Sequence, residues 1–134
     1  MAENCTVDNN IYDVYKCEKC GNIVEVLHGG FGALTCCKAP MVKLEGKTKE
    51  PANEKHTPLV TRLSNGYEVK VGSTLHPMEE EHHIEWIELI IDGKAIIKYL
   101  NPGDTPDITY ISCEGNDVRA RAYCNLHGLW ESKK

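Results

Sequence analysis

The sequence predicts a mainly β protein in which a small cysteine-rich domain precedes an immunoglobulin-like antiparallel β-sandwich. From residue 56 onward, short strand-like runs alternate with turns, and no segment has the periodicity of an amphipathic helix. Two turn dipeptides, Asn65-Gly66 and Asp92-Gly93, each separate a pair of such runs. Four cysteines are grouped in the first third of the chain, which is too short to be held together by burial alone.

The N-terminal elements are short. Residues 12–15 and 23–27 are predicted strands, followed by glycine-rich turns at Gly29-Gly30 and Gly32. A unit of this size needs a disulfide, a metal or a partner for stability. Residues 46–53 are polar and have few apolar side chains, which is typical of a linker. The sequence therefore predicts domains at 1–45 and 46–134.

The second domain is predicted to contain six or seven strands. Predicted strands 59–63 and 67–71 flank Asn65-Gly66, and 84–91 and 94–100 flank Asp92-Gly93. Residues 107–113 and 118–123 follow the turn at Pro102-Gly103. Antiparallel hairpins at this spacing favour a sandwich of the immunoglobulin type.

Composition excludes several functional classes. The formal net charge of -5 argues against a general nucleic-acid-binding surface, which requires a basic face. No apolar run approaches the length that spans a membrane, and the polar N-terminus lacks the pattern of a signal peptide. We therefore expect a cytoplasmic protein without nucleic-acid or membrane partners. In such a protein, seven cysteines favour metal ligands or free thiols over disulfides.

A first group of cysteines has the spacing of a metal site. Cys17 and Cys20 form a Cys-x-x-Cys-Gly motif, and the adjacent Cys36 and Cys37 follow later in the chain. A tetrahedral four-thiolate site suits either zinc or iron, and the spacing does not decide between them. Because neighbouring side chains point in different directions, ligation through both Cys36 and Cys37 requires a local backbone distortion. A redox-active dithiol is a competing interpretation, and structural zinc is the simplest one.

A second group of potential ligands lies in the other domain. Cys124-x-x-His127 has the spacing of a metal knuckle, and His76 and His82 stand at the two ends of a glutamate-rich turn. His56 directly follows the linker and Lys55. For any one of these histidines alone, a surface or hydrogen-bonded core role is the commoner explanation. Together, the five side chains are a ligand set that leaves a sixth position open on an octahedral metal.

Several motifs resemble desulfoferrodoxin, the two-iron superoxide reductase family. The resemblance rests on Glu54-Lys55-His56-x-Pro58, on His76-Pro77-Met78-Glu79-Glu80-x-His82 with its sequel Ile84-Glu85-Trp86-Ile87-Glu88-Leu89, and on Cys124-Asn125-Leu126-His127-Gly128. The N-terminal cysteines are similar to those of desulforedoxin, a small rubredoxin-like metal-binding domain. The resemblance covers about residues 10–131. Glu81 differs from the basic residue often found before the second histidine, and His83 stands where an aromatic residue is common.

The resemblance implies two Fe ions per chain. Residues 1–45 would be a desulforedoxin-like domain with an Fe(Cys)4 centre, and 46–134 a superoxide reductase domain with an Fe(His)4(Cys) centre. The implied ligands of the first centre are Cys17, Cys20, Cys36 and Cys37. Those of the second centre are His56, His76, His82 and His127 in the equatorial plane and Cys124 as the axial ligand. His28 and His83 match no ligand position.

The implied activity is one-electron reduction of superoxide to hydrogen peroxide at the ferrous His4Cys site. Lys55 is expected to steer the anion to the open sixth position and to hydrogen-bond there, and Glu54 to occupy that position in the oxidised resting state. Rubredoxin or a similar carrier would supply electrons, and a homodimer is expected. These features imply an oxidative-stress role in detoxification.

Two alternatives belong to other functional classes. A rubredoxin-like electron-transfer protein without oxygen chemistry would have a closed second site, with a sixth protein ligand in both oxidation states. A zinc-stapled interaction domain on a β-sandwich would be colourless, and the fold by itself does not exclude it.

Overall fold

The computed structural model describes residues 9–48, 55–72, 76–112, 115 and 117–132. The chain folds into two compact units, Met1–Glu45 and Gly46–Lys134. All regular elements in the described ranges are β-strands, and antiparallel pairing joins them into sheets. The mainly β fold class predicted from the sequence is confirmed. Across these ranges, no helix has the length and apolar character required to cross a membrane.

The described residues of the first unit form five very short strands: β1 (Val14–Lys16), β2 (Ile23–Glu25), β3 (Thr35–Cys36), β4 (Ala39–Pro40) and β5 (Val42–Leu44). Strands β2, β1 and β5 form one antiparallel sheet, and β3 pairs with β4 in a hairpin. The first strand was predicted from residue 12 but begins at Val14, because Tyr12 takes a φ of 76° and lies outside the extended conformation. The sequence pattern did not predict β3, β4 or β5.

The second unit is a two-sheet sandwich with seven described strands: β6 (Pro58–Leu63), β7 (Gly66–Val71), β8 (Ile84–Ile91), β9 (Lys94–Tyr99), β10 (Asp107–Ile111), β11 (Val118–Cys124) and β12 (Gly128–Glu131). One sheet has the order β10-β7-β6 and the other β12-β11-β8-β9. Side chains from both sheets form one core, which includes Val69, Ile87, Leu89, Ile108 and Ala122. Strand β12 is the element that the sequence pattern missed.

The two predicted hairpins form in different ways. Asp92 and Gly93 both take positive φ, 46° and 84°, as a two-residue type I′ turn requires. The other turn consists of Ser64 and Asn65, because Gly66 already pairs with Leu63 as the first residue of β7. A Cβ on Gly66 would lie 2.0 Å from the Tyr110 carbonyl oxygen. This glycine therefore permits the close approach of β10 and is not part of the turn.

A β-bulge lies where strands β8 and β11 meet the candidate site. Tyr123 pairs with Trp86, but the next residue, Cys124, pairs with Ile84. The extra residue, Glu85, reverses the alternation of side chains along β8, so Ile84 and Ile87 both lie fully buried in the core. The bulge thus anchors the beginning of β8, directly after the loop that contains His82.

A buried ion pair joins the same two strands. Arg121 Nε donates a hydrogen bond of 2.9 Å to Glu88 Oε1, and both side chains are at most 4% exposed. Glu88 Oε2 is also buried and has no hydrogen-bond partner in the part of the chain that the structure describes. The carboxylate therefore depends on Arg121 for compensation of its charge.

We predict that Arg121→Ala destabilises the second unit by about 3–5 kcal/mol, because it leaves the Glu88 charge buried and uncompensated. The thermal midpoint should fall by about 10 °C or more at equal metal loading. Lys98→Ala is the matched control, since it breaks an exposed ion pair with Asp107 and should cost less than about 1 kcal/mol. Equal effects of the two variants on the midpoint would contradict the prediction.

Candidate metal centres

The four cysteines of the first unit lie close enough to bind one ion. Their sulfur atoms are all within 4.8 Å of one another. Cys36 Sγ lies 3.6 Å from Cys20 Sγ and 3.9 Å from Cys37 Sγ. Four ligands at about 2.3 Å around a tetrahedral ion are roughly 3.8 Å apart, whereas sulfurs in a disulfide are about 2 Å apart. The geometry therefore fits a tetrahedral metal site and does not fit a disulfide.

Two tight turns present these thiols. In the first, Gly21 N donates to the Cys17 carbonyl at 2.8 Å, and Gly21 takes a φ of 87°. In the second, Cys37 and Lys38 have φ values of 53° and 61° and form the two-residue loop of the β3–β4 hairpin. Positive φ at Cys37 turns its side chain towards that of Cys36. This is the backbone distortion that the adjacent cysteines were predicted to require.

The four thiols differ in acidity. Backbone amides of Cys20 and Lys19 donate to the Cys17 sulfur and lower the pKa of Cys17 to about 6. Hydrogen bonding to the Cys20 thiol, and then to Cys36 and Cys17, raises the pKa of Cys37 to about 12. Crowding of thiols thus keeps part of the cluster protonated until a cation displaces the protons.

The second group of ligands comes from three places in the sandwich. His56 precedes β6, and His76 and His82 lie in the segment between β7 and β8. Cys124 is the last residue of β11, and His127 lies in the loop that joins β11 to β12. Cys124 pairs with Gly128 across this three-residue loop, and Gly128 takes the φ of 85° that closes such hairpins. The hairpin therefore places its cysteine and histidine side by side.

Ligand atoms of His56, His76, His82 and Cys124 all lie within 4.8 Å of one another. His127 faces the same space, with Nδ1 at 3.0 Å from His56 Nε2 and at 3.7 Å from Cys124 Sγ. Bonds of about 2.0–2.3 Å to one ion keep opposite ligand atoms roughly 4–4.6 Å apart. The arrangement brings together four imidazoles and one thiol at the scale of a single ion.

Unsatisfied buried nitrogens indicate that this group binds a metal. Nε2 of His76 and of His82 are buried, and neither has a hydrogen-bond partner in the described ranges. The other nitrogen of His76, Nδ1, lies 2.7 Å from the Pro77 carbonyl and donates its proton there. That hydrogen bond leaves a lone pair on Nε2, which is the usual state of a metal-ligating histidine.

Burial keeps His76 and His82 neutral. Desolvation lowers the pKa of His76 to about 4 and also lowers the pKa of His82. Desolvation raises the pKa of Cys124, while the backbone amides of Leu126 and His127 donate to its sulfur and oppose that shift. The site therefore presents imidazole lone pairs at neutral pH, together with a buried thiol whose thiolate form already has hydrogen-bond donors.

Two supporting residues were not found from the sequence. The Trp130 ring stacks on that of His56, with centroids 4.8 Å apart, and its Nε1 donates to the His127 carbonyl at 3.2 Å. Lys47 Nζ donates to the same carbonyl at 3.0 Å and lies 5.3 Å from the Trp130 ring centroid. The only hint in the sequence is that Trp130 follows His127 by three residues.

The remaining predicted site residues are placed as follows. Lys55 is half-buried and directly precedes His56, while Glu54 lies outside the described residues. His28 is exposed and belongs to neither donor group. His83 is also outside both groups, and its Nδ1 lies 3.0 Å from the Glu79 carbonyl. The structure does not describe Cys5 or Cys113.

Two family models match the chain. The model described as desulfoferrodoxin matches residues 48–133, and the model of the desulfoferrodoxin N-terminal domain matches residues 9–44. A desulfoferrodoxin of Syntrophotalea carbinolica is 54% identical over 121 residues, which cover 90% of this chain and 95% of the relative. A superoxide reductase of Pyrococcus abyssi is 32% identical over 111 residues, covering 69% of this chain and 96% of the relative.

Solved structures of superoxide reductases are also similar to this chain. The superoxide reductase from Treponema pallidum superposes with a TM-score of 0.69 and 26% identity, and the match covers 93% of this chain and 98% of that one. The superoxide reductase described as 1Fe-SOR from Giardia intestinalis gives a TM-score of 0.51 and 30% identity, with 59% of this chain and 95% of that one covered. Similarity therefore extends from the sequence to the fold.

We predict that Lys38→Gly stabilises the first unit by about 0.5–1 kcal/mol. Relief of the left-handed conformation, worth about 1–2 kcal/mol, exceeds the entropic cost of glycine, about 0.5–1 kcal/mol. The measurement is the denaturant concentration at which the absorption of the metal-loaded four-cysteine centre is lost. Lys38→Val should shift this midpoint in the opposite direction, because a β-branched residue is more strained at positive φ. Shifts of the same sign would contradict the prediction.

Proposed function

This chain belongs to the desulfoferrodoxin family, and we propose that it reduces superoxide to hydrogen peroxide at the histidine–cysteine site of its second unit. It is an oxidoreductase of the superoxide reductase type. Its cofactors are two iron ions, one at the four-cysteine group and one at the group of four histidines and one cysteine. One superoxide, one electron and two protons give one hydrogen peroxide, so the reaction forms no dioxygen.

The observation that best supports this function is the convergence of four donor atoms, with His127 Nδ1 3.0 Å from one of them. Two of the four are buried nitrogens without a hydrogen-bond partner among the described residues. We assign the ligands of the second iron as His56, His76, His82, His127 and Cys124. Five protein ligands leave one position of an octahedral iron for a small molecule. We assign Cys17, Cys20, Cys36 and Cys37 to the first iron, where four thiolates complete a tetrahedron and leave no open position.

Ferrous iron bound at this site would supply the electron and a Lewis-acidic position for the anion. Cys124 would tune this chemistry, because its thiolate would donate electron density to the metal. The amides of Leu126 and His127 donate hydrogen bonds to that sulfur, and complete burial of Cys124 keeps water away from it. His76 is held in one orientation by the hydrogen bond from Nδ1 to the Pro77 carbonyl.

Positive charge near the site should attract superoxide. The chain has a net charge of -5, which repels an anion at long range. Lys47 Nζ lies 3.0 Å from the His127 carbonyl, and Lys55 adjoins His56 in the chain. We assign to Lys55 the roles of steering the anion and donating a hydrogen bond to it, and to Glu54 occupancy of the open position in the oxidised state.

The reaction needs an external electron donor, since each turnover consumes one electron. A rubredoxin or a similar carrier would meet this requirement. We propose that the chain acts as a cytoplasmic homodimer and divides into a four-cysteine iron domain at 1–45 and a reductase domain at 46–134. The first domain has strands of only two or three residues, so its iron would act mainly as a structural staple.

Electron transfer without oxygen chemistry is not favoured as the function. Relatives and solved structures similar to this chain are named superoxide reductase, and the second donor group of four residues has His127 beside it as a fifth. A carrier would instead have a closed coordination sphere in both oxidation states. The zinc-stapled interaction domain, which would be colourless, is likewise not favoured, because similar proteins are named superoxide reductase.

We predict that the reduced, iron-loaded chain yields one hydrogen peroxide for each superoxide consumed and releases no dioxygen. Rapid mixing with a known amount of superoxide, followed by peroxide assay and an oxygen electrode, measures both products. A yield of one peroxide per two superoxides with release of dioxygen would indicate dismutation and would refute the proposed reaction. Zinc-loaded protein is the control, because zinc cannot supply the electron.

We predict that Lys55→Ala lowers the second-order rate constant for superoxide roughly tenfold at low ionic strength and makes the rate less sensitive to salt. The rate constant is measured by rapid mixing at several salt concentrations. Lys94→Ala is the matched control: it removes the same charge, but Lys94 pairs with Ile91 at the end of β8 opposite the site. If both variants show the wild-type rate and salt dependence, the steering role of Lys55 is wrong.

A further inference from the structure

Asn125 connects two of the segments that present metal ligands. It lies between Cys124 and His127 in the chain, and its side chain crosses to the segment around His82. Asn125 Nδ2 donates to the Glu81 carbonyl at 2.9 Å, and Asn125 Oδ1 accepts from the His83 amide, also at 2.9 Å. The Asn125 backbone amide adds a third hydrogen bond, to the His83 carbonyl, at 3.1 Å. These bonds bracket His82 from both sides.

We propose that Asn125 is a positioning residue that fixes the backbone around His82 relative to Cys124 and thereby controls metal retention at the second site. The inference rests on the ligand assignment proposed above. It extends that assignment to a residue that contributes no ligand atom. Asn125 hydrogen-bonds the backbone on both sides of the residue that presents the imidazole.

The side chain at this position must be both a donor and an acceptor. A carbonyl on one side of His82 and an amide N–H on the other face the two ends of the Asn125 side chain. The asparagine amide carries its donor and its acceptor on two separate atoms, so it satisfies both groups at once. A carboxylate lacks the donor, and an apolar residue lacks both functions.

The rest of the turn completes the anchoring of His82. Its amide donates to the Glu79 carbonyl at 3.1 Å, and its carbonyl accepts from the Glu79 amide at 2.9 Å. The turn therefore satisfies the backbone of His82 internally, while Asn125 satisfies the flanking peptide groups. Only the imidazole is left unsatisfied, with a buried Nε2 that has no hydrogen-bond partner among the described residues.

This connection matters because the segment around His82 does not belong to a strand. The structure assigns residues 76–83 to no sheet, and β8 begins only at Ile84. Cys124, in contrast, is fixed by the pairing of β11 with β8 and β12. Asn125 thus extends the rigidity of the sheet to a ligand that lies outside it. Residues that orient metal ligands in this way commonly change metal affinity or activity by about 10- to 100-fold.

The test compares iron release from the full chain carrying Asn125→Ala or Asn125→Asp. Iron leaving the second site is captured by a coloured ferrous chelator, and the absorption of the four-cysteine centre in the same molecule serves as an internal reference. Asn101→Ala is the matched control, since it makes the same change at an exposed position in the turn after β9. Hydrogen–deuterium exchange of the iron-loaded chain reports local backbone opening without relying on iron capture.

Asn125→Ala is expected to release the second iron about 10- to 100-fold faster than wild type, with no change at the four-cysteine centre. Asn125→Asp keeps the shape and the acceptor but loses the donor, so it should also release iron faster. Amide exchange should accelerate in residues 79–85 and 124–128 and stay unchanged in β6 and β7. Asn101→Ala should match wild type in every readout.

Release rates within twofold of wild type in both Asn125 variants would overturn the inference. A uniform rise in exchange across the second unit would also overturn it, because Asn125 would then act through general stability. If Asn125→Ala does not fold, Asn125→Asp provides the same comparison. His82→Ala separates this inference from the ligand assignment: fast release in His82→Ala but not in the Asn125 variants refutes only the inference, and unchanged release in His82→Ala refutes the assignment.

Discussion

Burial of donor atoms that the protein itself does not satisfy is the constraint on which the second unit depends. Nε2 of His76 and His82 lose water on folding and gain no hydrogen bond from the described residues. Each such group costs about 1–3 kcal/mol. Two such groups lie close together in this site. A bound cation would accept their lone pairs and so replace the interactions with water that they lost. The β8–β11 bulge, the Cys124–Gly128 hairpin and the short turn at His82 all serve to place those donors.

The two units rely on their metals to different degrees. Among the residues that the structure describes, the first has few buried apolar side chains, such as Val14, Tyr15 and Val26, and two of the four clustered thiols are exposed. There, metal binding must contribute directly to folding. The second has a continuous apolar core drawn from both sheets, which contributes to its stability independently of the metal ligands. Its fold can therefore hold an incompletely coordinated metal, which is what a reactive centre requires.

The sequence predicted those features that depend on local chemistry. Asp92-Gly93 was correctly predicted as a turn because both residues accept positive φ. The spacing of Cys17 and Cys20 correctly predicted that their thiols lie in one cluster. Features that depend on tertiary contacts were missed or displaced. Gly66 is required by the approach of β10, which no local pattern reveals. Trp130 supports the site by stacking on a residue distant in the chain, and periodicity marks it only as apolar. Glu54 remains a prediction, since the structure does not describe it.

An acidic protein can still attract a small anion, because charges act over limited distances. At physiological ionic strength, charges separated by more than about 8 Å are largely screened in solvent. The overall charge of -5 therefore matters less at the site than the cations beside it. Lys47 is held there by the His127 carbonyl and the Trp130 ring. The same contacts that orient two ligands thus also fix a positive charge, so ligand geometry and anion attraction depend on one set of packed residues.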